Sequence, residues 1–272
     1  MKNSLKDKIV IVTGASSGIG KALVYEFAKQ GSKIVLAARN ESKIIQIEKE
    51  LKERGIDVIA VVTDVSCEED CRRLIEMTIE QFGTIDILIN NAGISMKALF
   101  HEASLKVLQR LMDVNFWGTV YCTRFALPYI VKRKGSLVAV SSIAGFNGLP
   151  GRAGYSASKF AVHGLMETIR IENLKNGLHV MVVAPGFTAS EIRKHALLAD
   201  GTEQGESPRD ENHLTPPEFV ARKIIGGIKR KKRNIILTWE GKLTALFQRI
   251  IPRIVDLIYF NELAKEPNSP FK

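Results

Sequence analysis

Tyr155 and Lys159 stand four residues apart in the run Tyr155-Ser156-Ala157-Ser158-Lys159, thirteen residues after Ser142. On a helix, positions i and i+4 share a face, which brings the Lys159 ammonium near the Tyr155 phenol. A free phenol has a pKa of about 10, too high for easy proton exchange at neutral pH. A cation beside it favours the phenolate and lowers that value, which is how a side chain is tuned as a general acid/base. A solvated helix face would show the same pair, so its meaning depends on what precedes it in the chain.

Directly after the first apolar run stands Thr13-Gly14-Ala15-Ser16-Ser17-Gly18-Ile19-Gly20. Glycines here let the main chain turn sharply and approach a pyrophosphate, which then rests on the amino end of the following helix. The spacing is GxxxGxG, not the commoner GxGxxG, and a plain tight turn would look the same if the loop stood alone.

The elements that must position these residues are legible in the periodicity. Short, nearly continuous apolar runs at 9–12, 33–37, 58–62, 85–90, 136–141 and 178–184 read as strands covered on both faces. Helical patterns at 18–30, 41–55, 68–82, 104–132 and 155–175 separate them. This alternation predicts an α/β fold: a doubly wound parallel sheet of Rossmann-like type, with right-handed crossovers and a ligand crevice at the carboxyl ends of the strands. The polar segment 187–217, with Asp200-Gly201, Gly205, Pro208 and Pro216-Pro217, breaks the pattern and reads as a long irregular or mobile lid. A helix at 217–229 and a strand at 234–239 complete a single domain over 1–240, and a helical extension follows at 241–272.

Taken in order, TGxxxGxG from Thr13, Asn90-Asn91-Ala92-Gly93, Asn115, Ser142, Tyr155-x-x-x-Lys159 and Pro185-Gly186 resemble the motif set of the short-chain dehydrogenase/reductase family, over roughly residues 5 to 240. The resemblance implies that Tyr155 is the general acid/base and that Lys159 lowers its pKa and bonds the nicotinamide ribose. Ser142 would polarise the substrate carbonyl as an oxyanion donor does, with Ser141 as the neighbouring alternative. Asn115 would hold a water linking Lys159 to solvent, a role compatible with its being a helix-kink residue. For the cofactor, the resemblance implies Gly14, Ser16, Ser17, Gly18, Ile19 and Gly20 at the phosphates and Asp64 and Val65 at the adenine. Asn91, Ala92 and Gly93 would pack on the adenosine side, and Pro185, Gly186 and Thr188 would flank the carboxamide. Without its neighbours Asp64 reads equally well as a strand-end turn residue.

Cofactor choice rests on one place. An NAD site of this fold carries an acidic residue about 20 positions beyond the glycine loop, on the ribose 2′-hydroxyl. Here the second strand ends Ala37-Ala38-Arg39-Asn40, and a guanidinium suits the 2′-phosphate of NADP. The other reading of Arg39 is an ordinary surface arginine; NADP(H) is favoured over NAD(H).

Composition bounds the rest. Of 272 residues, 45% are hydrophobic and 25% charged, as in an ordinary globular chain. No uncharged apolar run reaches the roughly 18 residues of a membrane span. The amino terminus has no apolar signal core, so a cytoplasmic protein is expected. Cys67, Cys71 and Cys122 read as free thiols, because no His or further Cys stands near the first two to complete a metal site. A net charge of +10 would suit a nucleic-acid binder, but the run Lys229-Arg230-Lys231-Lys232-Arg233 lacks interleaved aromatics for base stacking, and no nucleic-acid partner is expected. A polyanionic cofactor or an acidic membrane surface would be served equally by that charge.

In the extension, Leu243, Leu246, Phe247, Ile250, Ile251, Ile254 and Ile258 fall on one helical stripe, with Lys242, Arg249 and Arg253 outside it and Pro252 dividing or kinking the helix. Two readings stand: a face that covers the domain's own core or a subunit interface, and an interfacial helix that touches a membrane peripherally. A similar tail occurs in the family branch resembling steroid and sphingoid-base ketone reductases. The expected function is therefore an NADP(H)-dependent oxidoreductase interconverting a ketone and a secondary alcohol, as a reductase of a hydrophobic, lipid-like carbonyl. The alternatives are a 3-oxoacyl thioester reductase and, from another class, a non-catalytic dinucleotide-binding scaffold or sensor. Pairing through helices near 104–132 and 155–175 would give a homodimer or homotetramer. Phe146, Asn147 and Leu149 read with equal weight as pocket lining and as core.

Overall fold

A computed structural model describes residues 4–206, 214–248 and 250–265. Arg249, Pro208 and the end of the extension beyond 265 lie outside the described residues. The apolar runs form seven parallel strands: β1 Ile9–Thr13, β2 Lys33–Ala38, β3 Val58–Val62, β4 Ile87–Asn90, β5 Ser136–Val140, β6 His179–Ala184 and β7 Asn234–Ile236. Their order is β3-β2-β1-β4-β5-β6-β7. β1 pairs with β2 on one side and with β4 on the other, in registers Ile11↔Val35 and Ile11↔Leu88. The chain thus reverses direction of growth at β1 and β4, and a crevice opens where the two crossovers diverge.

Side chains alternate across the sheet because successive Cβ atoms point to opposite faces. Val10 and Val12 pack with helices α1 (Gly18–Lys29), α2 (Glu41–Glu53) and α7 (Pro217–Lys229). Ile11 packs with α3 (Glu68–Phe82), α5 (Gly118–Lys132) and α6 (Ala153–Glu172) on the other face. Both faces are covered, which is why β1, β5 and β6 are buried at every position. Asp86, just before β4, is buried and receives Lys8 Nζ at 2.8 Å, the Ile9 amide at 3.1 Å and Arg133 Nε at 3.1 Å. That carboxylate ties the start of β1 to the end of α5 beneath the sheet.

The pattern at 104–132 is not one helix. α4 (Leu105–Met112) runs into a π-helical turn, Asp113–Trp117, before α5 begins. Gly118 is pressed against Val65, where an added Cβ would lie 2.7 Å from Val65 Cγ2. This long-range contact, absent from the helical period, falls directly after the widened turn. The strand expected at 234–239 ends at Ile236, because the Thr238 hydroxyl accepts from Gly241 N at 3.1 Å and caps α8, Trp239–Phe247. Pro252 divides the tail: it opens α9, Pro252–Ala264.

The described parts of segment 187–217, residues 187–206 and 214–217, are more ordered than their composition suggests. Leu197 N donates to Ser95 O at 2.9 Å and Lys97 N to Leu197 O at 2.8 Å, so this strap pairs in parallel with the chain after β4. Leu197 also pairs with Glu203 in the antiparallel sense, and Thr188 with Thr215 in parallel. Main-chain bonds replace the side-chain periodicity that a sequence reader looks for. The basic run 229–233 precedes β7 and α8 follows it, so the charge and the apolar tail stand at opposite ends of that strand. No described helix is long and apolar enough to cross a membrane.

Candidate active site

The glycine loop joins β1 to α1 at the crevice. Gly14 sits at φ +65°, and a Cβ there would lie 2.9 Å from Ala92 Cα; a methyl on Gly20 would overlap the Gly14 carbonyl oxygen. Ser17 is the extended residue before α1, and its side chain makes no capping bond. The cradle is closed to side chains and presents main-chain N–H groups, which suits a pyrophosphate. Thr13, part of the quoted motif but given no role there, is the stitch. Its hydroxyl accepts from Asn91 N at 2.9 Å and Ala92 N at 3.0 Å and donates to Ile89 O at 3.3 Å. Asn91 Nδ2 returns a bond to Thr13 O at 2.9 Å. A cavity of about 480 Å³ flanks the loop, with Ser17, Gly18, Lys21, Lys43, Ser190 and Lys194 in its wall.

Arg39 is exposed just after β2, and Asn40 caps α2 by accepting from Lys43 N at 3.0 Å. Asp64 behaves as a turn residue: its Oδ1 accepts from Ser66 N at 3.0 Å and Ser66 Oγ at 2.7 Å. Burial would push its carboxyl up, but the Ser66 bonds and the Arg39 and Arg110 charges hold it below the usual range. Val65 is buried beneath Gly118. On the far side of the crevice, Gly186 packs on the Thr238 methyl, and the buried Thr188 donates to Gly186 O at 3.2 Å. Pro185 follows β6 directly.

Ser142, Tyr155, Lys159 and Asn115 converge between these two sides. Ser142 lies two residues beyond the end of β5 and caps a short turn by accepting from Ala144 N at 3.2 Å. Tyr155 lies in the first turn of α6, packed on Met96, Ala98, Val107, Leu111 and Leu197. Burial pushes its phenol up, while the Ser142 hydroxyl and the Arg152 guanidinium pull the other way. Lys159 Nζ lies 5.7 Å from the Tyr155 ring centre and donates to Val140 O at 3.0 Å. Burial brings the Lys159 ammonium down to about 8. The pair therefore differs from the expectation drawn from spacing, in which the cation would lower the phenol. Both groups are desolvated, and desolvation disfavours the phenolate and the ammonium alike.

Asn115, within the π-helical turn, accepts from Ile94 N at 2.8 Å and donates to Ile94 O at 3.0 Å and to Ser158 Oγ at 2.9 Å. Ser158 passes the link to Tyr155 O at 2.8 Å. A Cβ on Gly93 would meet Asn115 Oδ1 at 3.1 Å and Lys159 Nζ at 3.4 Å, so the bare main chain at Gly93 lies close to both groups. Sequence reading missed Thr13, Ser158 and His163. His163 follows Lys159 by four positions, the same signal that linked Tyr155 to Lys159. Its Nε2 lies 2.8 Å from Ser141 Oγ, and burial followed by the Lys159 charge takes it down to about 4. Ser141 is thus committed to His163, while Ser142 faces the phenol. Phe146 packs edge-on against His163 at 4.4 Å, Asn147 is buried, and Leu149 N donates to Ser156 Oγ at 3.2 Å.

A family model described as short chain dehydrogenase matches residues 8–200. The chain is 42% identical over 281 residues to "11-beta-hydroxysteroid dehydrogenase A" of Arachis hypogaea, covering 99% of this chain and 79% of that protein. A crystal structure of a short chain dehydrogenase/reductase from Burkholderia phymatum in complex with NAD shares the fold with a TM-score of 0.83 at 24% identity, covering 92% of this chain and 96% of that one. An alcohol dehydrogenase from Thermococcus sibiricus, complexed with 5-hydroxy-NADP, matches with a TM-score of 0.75 at 25% identity, over 85% of this chain and 95% of that one.

Proposed function

Because the chain belongs to the short chain dehydrogenase family, we propose that it reduces a bulky, apolar ketone to a secondary alcohol with NADPH, Tyr155 giving the proton. It is an NAD(P)-dependent oxidoreductase that acts on a small molecule. The observation that carries the finer reading is geometric: the Ser142 hydroxyl lies beside the Tyr155 phenol, and that phenol packs against the apolar cluster of Met96, Val107 and Leu197, so a bulky apolar carbonyl would meet two hydroxyl donors there. The Ser142 hydroxyl beside it would donate to the carbonyl oxygen as negative charge develops there. Lys159, charged at neutral pH with an ammonium brought down to about 8, would stabilise the phenolate left after proton transfer. Asn115 keeps the backbone of Ile94 fixed beside that amine.

The residues present fit a nicotinamide dinucleotide: the Gly14–Gly20 cradle excludes side chains where a pyrophosphate would rest, and α1 begins there. When bound, the dinucleotide supplies the hydride that goes to the carbonyl carbon. Arg39, exposed after β2 with no acid in its place, supports the 2′-phosphorylated form. The name of the peanut relative supports a steroid-like substrate. With all four polar side chains converging, nothing favours the non-catalytic alternative.

We place subunit pairing on α5, α6 and the π-helical turn before α5, where Tyr129, Phe160 and Trp117 are exposed. Peripheral membrane contact of a cytoplasmic enzyme would use α9 and the turn before it, where Ile254, Ile258 and Ile250 are more than half exposed. The test is NADPH and NADH oxidation against a panel of sterol ketones, long-chain keto bases and 3-oxoacyl thioesters, with Arg39→Ala beside the native protein. NADPH-dependent turnover of ring ketones is expected, with the preference over NADH falling about tenfold or more in Arg39→Ala, as befits a lost charge-assisted bond. Turnover of thioesters alone, or an unchanged preference, would overturn this reading.

A further inference from the structure

One stripe of α6 carries three polar side chains, each a turn after the last, and they meet three consecutive residues from the end of β5 onward. Tyr155 faces the Ser142 hydroxyl, Lys159 Nζ donates to Val140 O at 3.0 Å, and His163 Nε2 lies 2.8 Å from Ser141 Oγ. The first two side chains belong to the proton-transfer group. His163 has no place in it, yet it holds the same segment at more than one point.

Ser141 N donates to Val183 O at 2.7 Å and so stays tied to β6. Beyond it the main-chain bonds close on the turn itself, Gly145 N to Ser142 O at 3.0 Å and Phe146 N to Ile143 O at 2.9 Å. The far end of the turn then returns to the imidazole. A Cβ added to Gly145 would lie 2.7 Å from His163 Nε2, 2.9 Å from His163 Cδ2 and 2.7 Å from Ser141 Oγ. The Phe146 ring meets the imidazole edge-on, with 4.4 Å between centres. Ser141 at the start of the turn and Gly145 and Phe146 at its end are thus gathered on one ring. Between them Ile143 is met by α8, where a Cβ added to Gly241 would lie 2.6 Å from Ile143 Cδ1. Burial, followed by the Lys159 charge, takes the imidazole down to about 4, so it bonds here as a neutral ring and sets no second cation beside Lys159.

We propose that His163 is a positioning residue: it clasps both ends of the Ser142 turn and so holds the Ser142 hydroxyl on the Tyr155 phenol. The proposal rests on the reading of Ser142 as the donor to the carbonyl oxygen, and deepens it by naming what aims that donor. The effect of the imidazole on turnover passes through Ser142.

The test compares the full-length native chain with His163→Ala, His163→Gln, Ser142→Ala and His163→Ala/Ser142→Ala, following NADPH oxidation with the multi-ring ketone androstenedione. His163→Ala should lower kcat about tenfold with NADPH affinity near native, yet cost less than about twofold once Ser142 is already alanine, as residues that act through one another do. His163→Gln, whose amide nitrogen can reach Ser141 Oγ, should recover most of the loss. A side chain that only fills space would cost the same factor in both backgrounds, and that result overturns the proposal. Native kcat in Ser142→Ala would count instead against the donor reading of Ser142.

Carbon-13 NMR of chains labelled at the tyrosine ring carbon that bears the hydroxyl needs no turnover, and Tyr155→Phe assigns the signal. His163→Ala should carry the Tyr155 signal to the position that Ser142→Ala gives it, and the double variant should add nothing. Ser141→Ala removes the same bond from its other end and leaves the imidazole packed, so it should move the signal the same way and decides the matter if His163→Ala does not fold. A Tyr155 signal that keeps its native position in these variants overturns the proposal, whatever the reductase assays show.

Discussion

The glycine loop and the α8–α9 hairpin border the same crevice and are built by opposite rules. Around the loop, main chain touches main chain: Gly14 against Ala92, Gly20 against the Gly14 carbonyl, and Thr13 bonded to two amides of the chain after β4. There is no room for variation because the ligand for this side does not vary. Around the hairpin, contacts are apolar and half open, with Leu257, Ile254 and Ile258 all more than half exposed. One side is shaped for a single polyanion; the other offers surface that can be recut for different carbon skeletons. Tyr155 stands between them, at the start of a helix whose Lys159 is bonded to the end of β5.

The comparison can be broken most forcefully in the middle. Tyr155→Phe should lower kcat by about 100-fold to 10,000-fold, the usual contribution of a positioned proton donor, while NADPH affinity measured by fluorescence titration stays near native. Retained turnover would remove the phenol from the chemistry; lost NADPH binding would mean the two sides are not separable. Gly20→Ala tests the closed side, since the added methyl overlaps the Gly14 carbonyl oxygen. It should cost about 1–3 kcal/mol, the usual range for overpacking, read as weaker NADPH binding and a lower Tm. Native values for both would show that the cradle can yield.

The smallest effect sharpens what holds the closed side up. Burial alone would raise the Asp86 carboxyl, but Lys8, the Ile9 amide and Arg133 keep it below the ordinary carboxylate range. A depressed folded pKa gives stability that is complete above the unfolded value of about 3.9 and is lost as pH falls through the folded value. Asp86→Asn should therefore cost about 1–2 kcal/mol at neutral pH, allowing for the partial exposure of Lys8 and Arg133. Urea unfolding of variant and native chain should converge as the pH falls below the ordinary carboxylate range. A constant difference from pH 7 to pH 2 would contradict the role given to this carboxylate.

Much of the frame was open to reading because it rests on local signals. Continuous β-branched runs such as Ile9-Val10-Ile11-Val12 can only be strands covered on both faces, and Ser142, Tyr155 and Lys159 carried their spacing with them. What stayed hidden depends on partners distant in sequence. The π-helical turn ends where Gly118 meets Val65, and the strap around Leu197 is ordered by its pairing with Met96. The desolvation around Tyr155 was hidden for the same reason: i,i+4 spacing reveals a neighbouring cation but not the removal of water from both groups. His163 was within reach, one further turn along the stripe that already held Lys159.

The strap from 196 to 204 is held to the chain after β4 by main-chain bonds of Leu197 and Lys97. Every residue but proline supplies such bonds, so the strap can exchange its side chains over generations and keep its path. A lineage could drift from one substrate to another by single substitutions there, each intermediate still folding and still closing over Tyr155. The cradle at Gly14 and Gly20 has no such freedom. Divergence in this architecture should accumulate on the strap and the α8–α9 hairpin and leave the dinucleotide side unchanged.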